Sequence, residues 1–249
     1  MFPMLESVTV EVCAFNLASC INAEKGGAGR IELCGNPTEG GTTPTPGVLI
    51  QARKLVSIKL YPMIRPRGGY YYYSKDEIES IRQDIFFCKQ IGCDGISIGA
   101  QRLDGSLDAD LCKQFVEWAY PMKVTLNKAF DLSPNLEQSL ENAIDAGFER
   151  ILTSGGKRAA IDAIDILVDL MQRAGDRIII MPGCGLRSYN VAQIAKATQA
   201  KEYHSAARVE VANPLSFKNS LVHDLGFVFN ASQDEVRLIK LNAEIALMK

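Results

Sequence analysis

The sequence predicts a (β/α)8 barrel, read as one domain over residues 1–249, and three observations carry that reading. Short β-branched or aliphatic runs recur about once every 25 to 30 residues, the length of one strand-helix unit. The segments between them carry helix start and stop signals. No Ser/Gly linker, low-complexity stretch or shift of composition divides the 249 residues, of which 47% are hydrophobic. A doubly wound sheet would use fewer strands and show a glycine-rich first turn.

The strands are predicted in order at "VTVEVC" from Val8, "RIELC" from Arg30, "KLYPMI" from Lys59 and "GISIG" from Gly95. They continue with "KVTLN" from Lys123, "RILTS" from Arg150, "RIIIMPG" from Arg177 and "EYHSA" from Glu202. Between the first two strands, "LASCINAEK" runs into Gly26 and Gly27, which stop a helix. Ser74 and Glu77 stand in capping-box spacing at the start of the third helix, and Gly92 ends it. Ser133 and Pro134 open the fifth, which Gly147 closes. After strand eight, residues 208–232 form a long irregular insertion before a last helix around "EVRLIKLNAEIALM".

Composition narrows the function classes. The formal charge of -2 comes from 27 basic and 29 acidic residues without a long run of either sign, so no nucleic-acid surface is expected. No apolar stretch has the length of a membrane span, and "MFPMLESVTV" lacks the features of a signal peptide. Seven scattered cysteines suit free thiols in a reducing cytoplasm.

In a barrel the working face lies at the carboxyl ends of the strands. Strand one ends in Glu11 and Cys13, and strand two in Glu32 and Cys34. A two-residue spacing directs each Glu and its Cys to one face, and neighbouring strands set the two cysteines side by side. Two thiols without a crowd of further ligands favour Cu(I) over a closed zinc site. The competing reading makes both cysteines small buried fillers.

Arg65 and Arg67 flank Pro66 after strand three, and the turns "TSGG" and "PGCG" follow strands six and seven. With Lys128, Ser154, Gly155 and Gly183 they compose a candidate site for a small anionic or phosphorylated ligand. Alternatively, Arg65 neutralises Glu11 or Glu32 inside the barrel. His204, at the end of strand eight, is a candidate general base with Glu32 or Asp131 as the acid, or else a hydrogen-bonded structural residue. Lys128 could form a Schiff base, although a salt bridge with Asp131 is the simpler expectation. His223 has no evident partner. Tyr70 to Tyr73 read as an exposed aromatic loop over the mouth or against another subunit.

Taken in order, "EVC", "GGAGRIELCGNPTEGGTTPTPG", "MIRPRGG", "AFD", "GFERILTSGG", "RIIIMPGCG" and "EYHSAAR" resemble the CutC copper homeostasis family over nearly the whole chain. The resemblance implies a cytoplasmic TIM barrel that handles copper, with Cu(I) on Cys13 and Cys34 and no organic cofactor. It also implies a homo-oligomer, a dimer or tetramer, and brings no established reaction. Glu11 and Glu32 would orient the thiols. The family commonly has His-Arg before "AFD", where this chain has Asn127 and Lys128. Two functions therefore stand beside each other: copper binding through the cysteine pair, and an enzyme acting on a small anion at the same mouth.

Overall fold

Each of the eight predicted runs forms a strand. The computed structural model describes residues 7–217 and 227–248. The first half of the barrel comprises β1 (Thr9–Ala14), α1 (Leu17–Lys25), β2 (Arg30–Leu33), α2 (Pro46–Leu55), β3 (Lys59–Pro62), α3 (Lys75–Gln90), β4 (Gly95–Ile98) and α4 (Ala109–Ala119). The second half comprises β5 (Lys123–Leu126), α5 (Leu136–Ala146), β6 (Arg150–Thr153), α6 (Ile164–Ala174), β7 (Ile179–Pro182), α7 (Val191–Thr198) and β8 (Glu202–Ser205). Two parallel arcs, β3-β2-β1-β8 and β4-β5-β6-β7, close against each other. One junction is made by a Met63–Ser97 bridge, in which the Ile64 N–H donates to the Ser97 carbonyl at 2.8 Å. At the other, β7 lies beside β8, and Gly183 leaves no room for a side chain against Leu152 and His204.

Alternation within β1 separates two cores. Val10, Val12 and Ala14 are fully buried toward the helices, where they join Cys20, Ala23, Val236 and Ile239. Glu11 and Cys13 face the barrel axis, as a period of two requires. Cys88, Cys93 and Cys112 are likewise buried among apolar neighbours, which fits a packing role for these thiols.

Helix ends follow local chemistry, with one shift from expectation. Ser74 and Glu77 form the reciprocal capping box, and Gly147 caps α5 at φ 88°. The α5 start moves from Ser133 to Asn135, whose side-chain oxygen accepts from the Gln138 N–H at 3.0 Å. Ser133 instead bonds to Ser139 Oγ, and Asn135 is the next side-chain acceptor in line.

The insertion is more ordered than expected. β9 (Arg208–Val211) pairs antiparallel with β10 (Val228–Ala231), and α8 (Gln233–Ala246) follows. Side chains of α1 and its cap fasten this ribbon: Asn16 and Asn22 donate to the carbonyls of Phe229 and Ala231, and Ser19 Oγ accepts from the Ala231 N–H. The ribbon thus stands beside the carboxyl end of β1. His223 lies outside the described residues.

Candidate metal centre

Register brings the site together. On β1, Glu11 is paired with Arg30 of β2 and His204 of β8, and Cys13 is paired with Glu32. Cys34 follows one step beyond β2, its N–H donating to the Ala14 carbonyl at 2.8 Å. The two sulfurs lie 3.9 Å apart. Cys34 Sγ is 3.7 Å from Glu32 Oε2, and the same oxygen is 3.8 Å from His204 Nε2. Cys13, Glu32 and Cys34 each offer a ligand atom within 4.8 Å of the others. Glu32 Oε1 is buried without a hydrogen-bond partner.

Below the thiols, carboxylates and guanidiniums alternate through the barrel interior. Glu11 is paired with Arg30, which also reaches Glu202 at 2.5 Å. Glu202 accepts from Arg150 at 2.8 Å, and Arg150 is paired in turn with Glu149. Both arginines lie over the Tyr61 ring, at 5.1 and 5.3 Å. Gly95 permits this, because any side chain there would collide with that ring. Buried charges need such partners.

His204 completes the balance. Its Nδ1 lies 2.8 Å from Glu11 Oε1. Burial opposes the imidazolium, but hydrogen bonds to Cys13 and Glu11 and the surrounding acidic groups raise its pKa well above the usual value. Burial also works against the Glu11 carboxylate, yet Arg30 and His204 outweigh it and hold its pKa at about 2. With His204 charged, Glu11, Glu202 and Glu149 are matched by Arg30, Arg150 and His204.

The upper acids divide into unlike pairs. Cys13 is drawn down by the hydrogen bond from Cys34 and by His204, whereas Cys34, as the donor and more deeply buried thiol, is pushed up. Burial and the Cys13 charge raise Glu32 to about 8. The opposite shifts favour charge on Cys13 over Cys34 and a retained proton on Glu32. Cys13 should be the cysteine alkylated first by iodoacetamide at pH 6, where an unperturbed thiol is only roughly one part in 300 ionised. Peptide mass spectrometry reads the order of labelling; first labelling at half-exposed Cys184, whose thiol burial pushes up, would contradict it.

Most donors of the expected anion site are engaged elsewhere within the chain. Asp131 lies in the "TSGG" turn, accepting from Thr153 Oγ1 at 2.6 Å, from the Ser154 N–H and hydroxyl, and from the Gly156 N–H at 2.9 Å. The Gly155 N–H donates to Thr153 Oγ1, and the Gly183 N–H to the Thr153 carbonyl. Arg65 donates through its terminal nitrogens to the carbonyls of Glu39, Gly41 and Gly69 and stacks over Tyr71, its Nε buried without a partner, so it neutralises neither Glu11 nor Glu32. Arg67 pairs with Glu77 and reaches the carbonyls of Gly68, Tyr70 and Tyr72. Lys128 is exposed, and its charge reaches Cys184.

The acid-base expectation changes with these contacts. Asp131 belongs to the strand-six turn rather than to His204, whose Nδ1 lies against Glu11 and whose pKa the neighbouring acidic groups raise, a direction that works against a general base. Glu32 does lie with His204, and burial with the Cys13 charge raises its pKa, which favours the protonated form. The tyrosine run alternates: Tyr70 and Tyr72 are exposed, whereas Tyr71 and Tyr73 are buried under the loop. Asn127 is fully buried, its side-chain oxygen accepting from the Ala129 N–H at 3.0 Å and its amide directed at Met63 Sδ.

Reasoning from sequence missed Arg30, Arg150, Glu149 and Glu202. The available signal was charge at the first positions of "RIEL", "RILT" and "EYHS", in phase with inward residues two places on; Glu149, just before "RILT", carries no such signal.

Comparison with known proteins finds relatives that cover most of the chain. The CutC family model matches residues 8–209. A CutC family protein of Chromobacterium violaceum is 43% identical over 209 residues, covering 84% of this chain and 85% of the relative. The human copper homeostasis protein cutC homolog is 41% identical over 213 residues, 86% of this chain and 78% of its own. The crystal structure of the Streptococcus agalactiae copper homeostasis protein CutC superposes with a TM-score of 0.76 at 30% identity, covering 80% of this chain and 98% of that one. The family match, these relatives and the shared barrel agree: the chain belongs to the CutC family of copper homeostasis proteins.

Proposed function

We propose that this protein binds Cu(I) as cargo between Cys13 and Cys34. The single observation that carries the reading is the pair of sulfurs 3.9 Å apart at the barrel mouth. Metal–thiolate bonds of about 2.3 Å let one ion reach both, since two such bonds span up to about 4.6 Å. Cu(I) replaces the proton on Cys34, so the buried charge before and after loading is the same. Soft sulfur ligands in low number also suit Cu(I). Glu32 stands ready as a third ligand, through an oxygen, or as the acceptor that orients Cys34, and the hydrogen bond from Cys34, together with His204, favours the Cys13 thiolate.

Of the donors that the anionic-substrate reading needs, Arg67, Ser154 and the terminal nitrogens of Arg65 are engaged in internal hydrogen bonds, which favours the copper reading. The whole chain acts as one barrel unit in this proposal. Its place is the reducing cytoplasm, where free thiols and Cu(I) persist; no described helix is long and apolar enough to cross a membrane. Exposed Tyr70 and Tyr72 support assembly into a homo-oligomer, aromatic side chains being favoured at subunit interfaces.

Titration of the reduced protein with Cu(I) against a competing chelator tests the reading. One tight site per chain is expected, weakened by about 100-fold or more in Cys13→Ser and in Cys34→Ser and unchanged in Cys184→Ser. Affinity that survives both of the first two substitutions would overturn the proposal. Because loading releases a proton, the apparent affinity should rise with pH across the neutral range.

A further inference from the structure

The two thiols approach closely while their backbones do not. Cys13 is in register with Glu32, so Cys34 lies two residues diagonally away on the neighbouring strand. With strands about 4.8 Å apart and a rise of about 3.3 Å per residue, the two Cα atoms are roughly 8 Å apart. A disulfide requires Cα atoms within about 7 Å. Neither backbone is free to close the gap: the Cys34 N–H is bonded to the Ala14 carbonyl, and Gly35 is bridged to Thr42 immediately beyond. The side chains can therefore lean together over an ion without being able to join.

Cys13 also borders a second feature that the copper site does not use. A cleft of about 290 Å³ opens beside it, walled by Phe15, Pro37, Val228 and Phe229, with the cationic Arg208 on its rim. The Arg208 guanidinium lies 5.2 Å from the Phe229 ring centre, at the foot of the β9–β10 ribbon. This volume suits a small organic molecule, with apolar walls for its body and one cation for a carboxylate. Cys34, only 1% exposed, is not among the residues lining it.

We propose that Cys13 is an acceptor of mixed disulfides with small acidic thiols seated in this cleft, and that Cys34 cannot resolve them. The Cys13 sulfur, having given its proton to solvent, attacks one sulfur of a low-molecular-weight disulfide. The external S–S bond breaks, a new one forms to Cys13, and the departing thiolate takes up a proton; the external disulfide is the oxidant. In most close thiol pairs the second cysteine would then displace the adduct and form an internal disulfide. Here the register forbids that step, so the modification persists until an external thiol removes it. The inference stands apart from copper binding, since it concerns the metal-free protein.

The test incubates metal-free wild-type protein, Cys34→Ser and Cys184→Ser with oxidised glutathione, followed by intact-mass and peptide mass spectrometry. One glutathione on Cys13 is expected in all three, accumulating to the same extent whether or not Cys34 is present. A Cys13–Cys34 disulfide in the wild type, with the adduct retained only in Cys34→Ser, would overturn the proposal; so would an adduct confined to another cysteine, or none. Arg208→Ala should slow the reaction with oxidised glutathione about threefold or more at low salt and leave that with neutral hydroxyethyl disulfide unchanged. Equal slowing of both, or of neither, would remove the cleft from the account.

Discussion

Arg30→Met is expected to destabilise the fold by about 3–5 kcal/mol, measured by urea unfolding at pH 7. The arginine is 1% exposed and stands between Glu11 and Glu202, so its removal leaves two carboxylates facing each other inside the barrel. Methionine fills much of the volume, and the loss therefore reports charge rather than cavity. Acid provides an independent check of sign. Glu11 is held at about 2 against an ordinary 4.5, so its contribution is complete above the ordinary value and is lost as pH falls through the folded one. In the variant, Glu11 loses its strongest partner, and protonation relieves rather than costs stability. The gap between wild type and variant should narrow as pH drops from 7 toward 3; a constant gap would show that Arg30 acts by packing alone.

Asp131→Ala is expected to cost about 2–4 kcal/mol, because one carboxylate satisfies donors on Thr153, Ser154 and Gly156 together. Thr153 and Ser154 are fully buried, so solvent does not readily replace the lost acceptor. The same substitution vacates the strand-six turn, and phosphate should then restore part of the lost melting temperature while leaving the wild type unaffected. Equal response of both proteins to phosphate would mean that Asp131 does not occupy an anion cradle. Asp131→Asn keeps the shape and one acceptor and should lose less.

These two residues show what a sequence discloses and what it conceals. The barrel was legible because each strand is a local β-branched run, and each helix boundary a local choice of cap or glycine. The cysteine pair was legible for the same reason: a period of two fixes the face, and consecutive strands of a barrel are neighbours. Asp131 was singled out as an acid, yet its partners lie 22 to 25 residues along the chain, in a turn whose shape only the fold defines. Arg65 and Arg67 have the composition of an anion clamp, but backbone carbonyls of loops at 39–41 and 68–72 take most of their donors. Backbone acceptors leave no mark in the residue types. Arg30 was overlooked because a cation beginning a strand reads as solvent-facing until the barrel closes around it. In the insertion, "RVEV" and "VFNA" alternate weakly, and their pairing across sequence distance made a ribbon from a stretch that appears irregular.

The central claim is that two sulfurs of one chain share one copper ion. X-ray absorption at the copper edge of the Cu(I)-loaded protein measures this directly. The account predicts a shell of two sulfur atoms at about 2.2–2.3 Å that disappears in the Cys13→Ser/Cys34→Ser double variant. A first shell of nitrogen and oxygen alone, or a sulfur shell that persists in that variant, would contradict it.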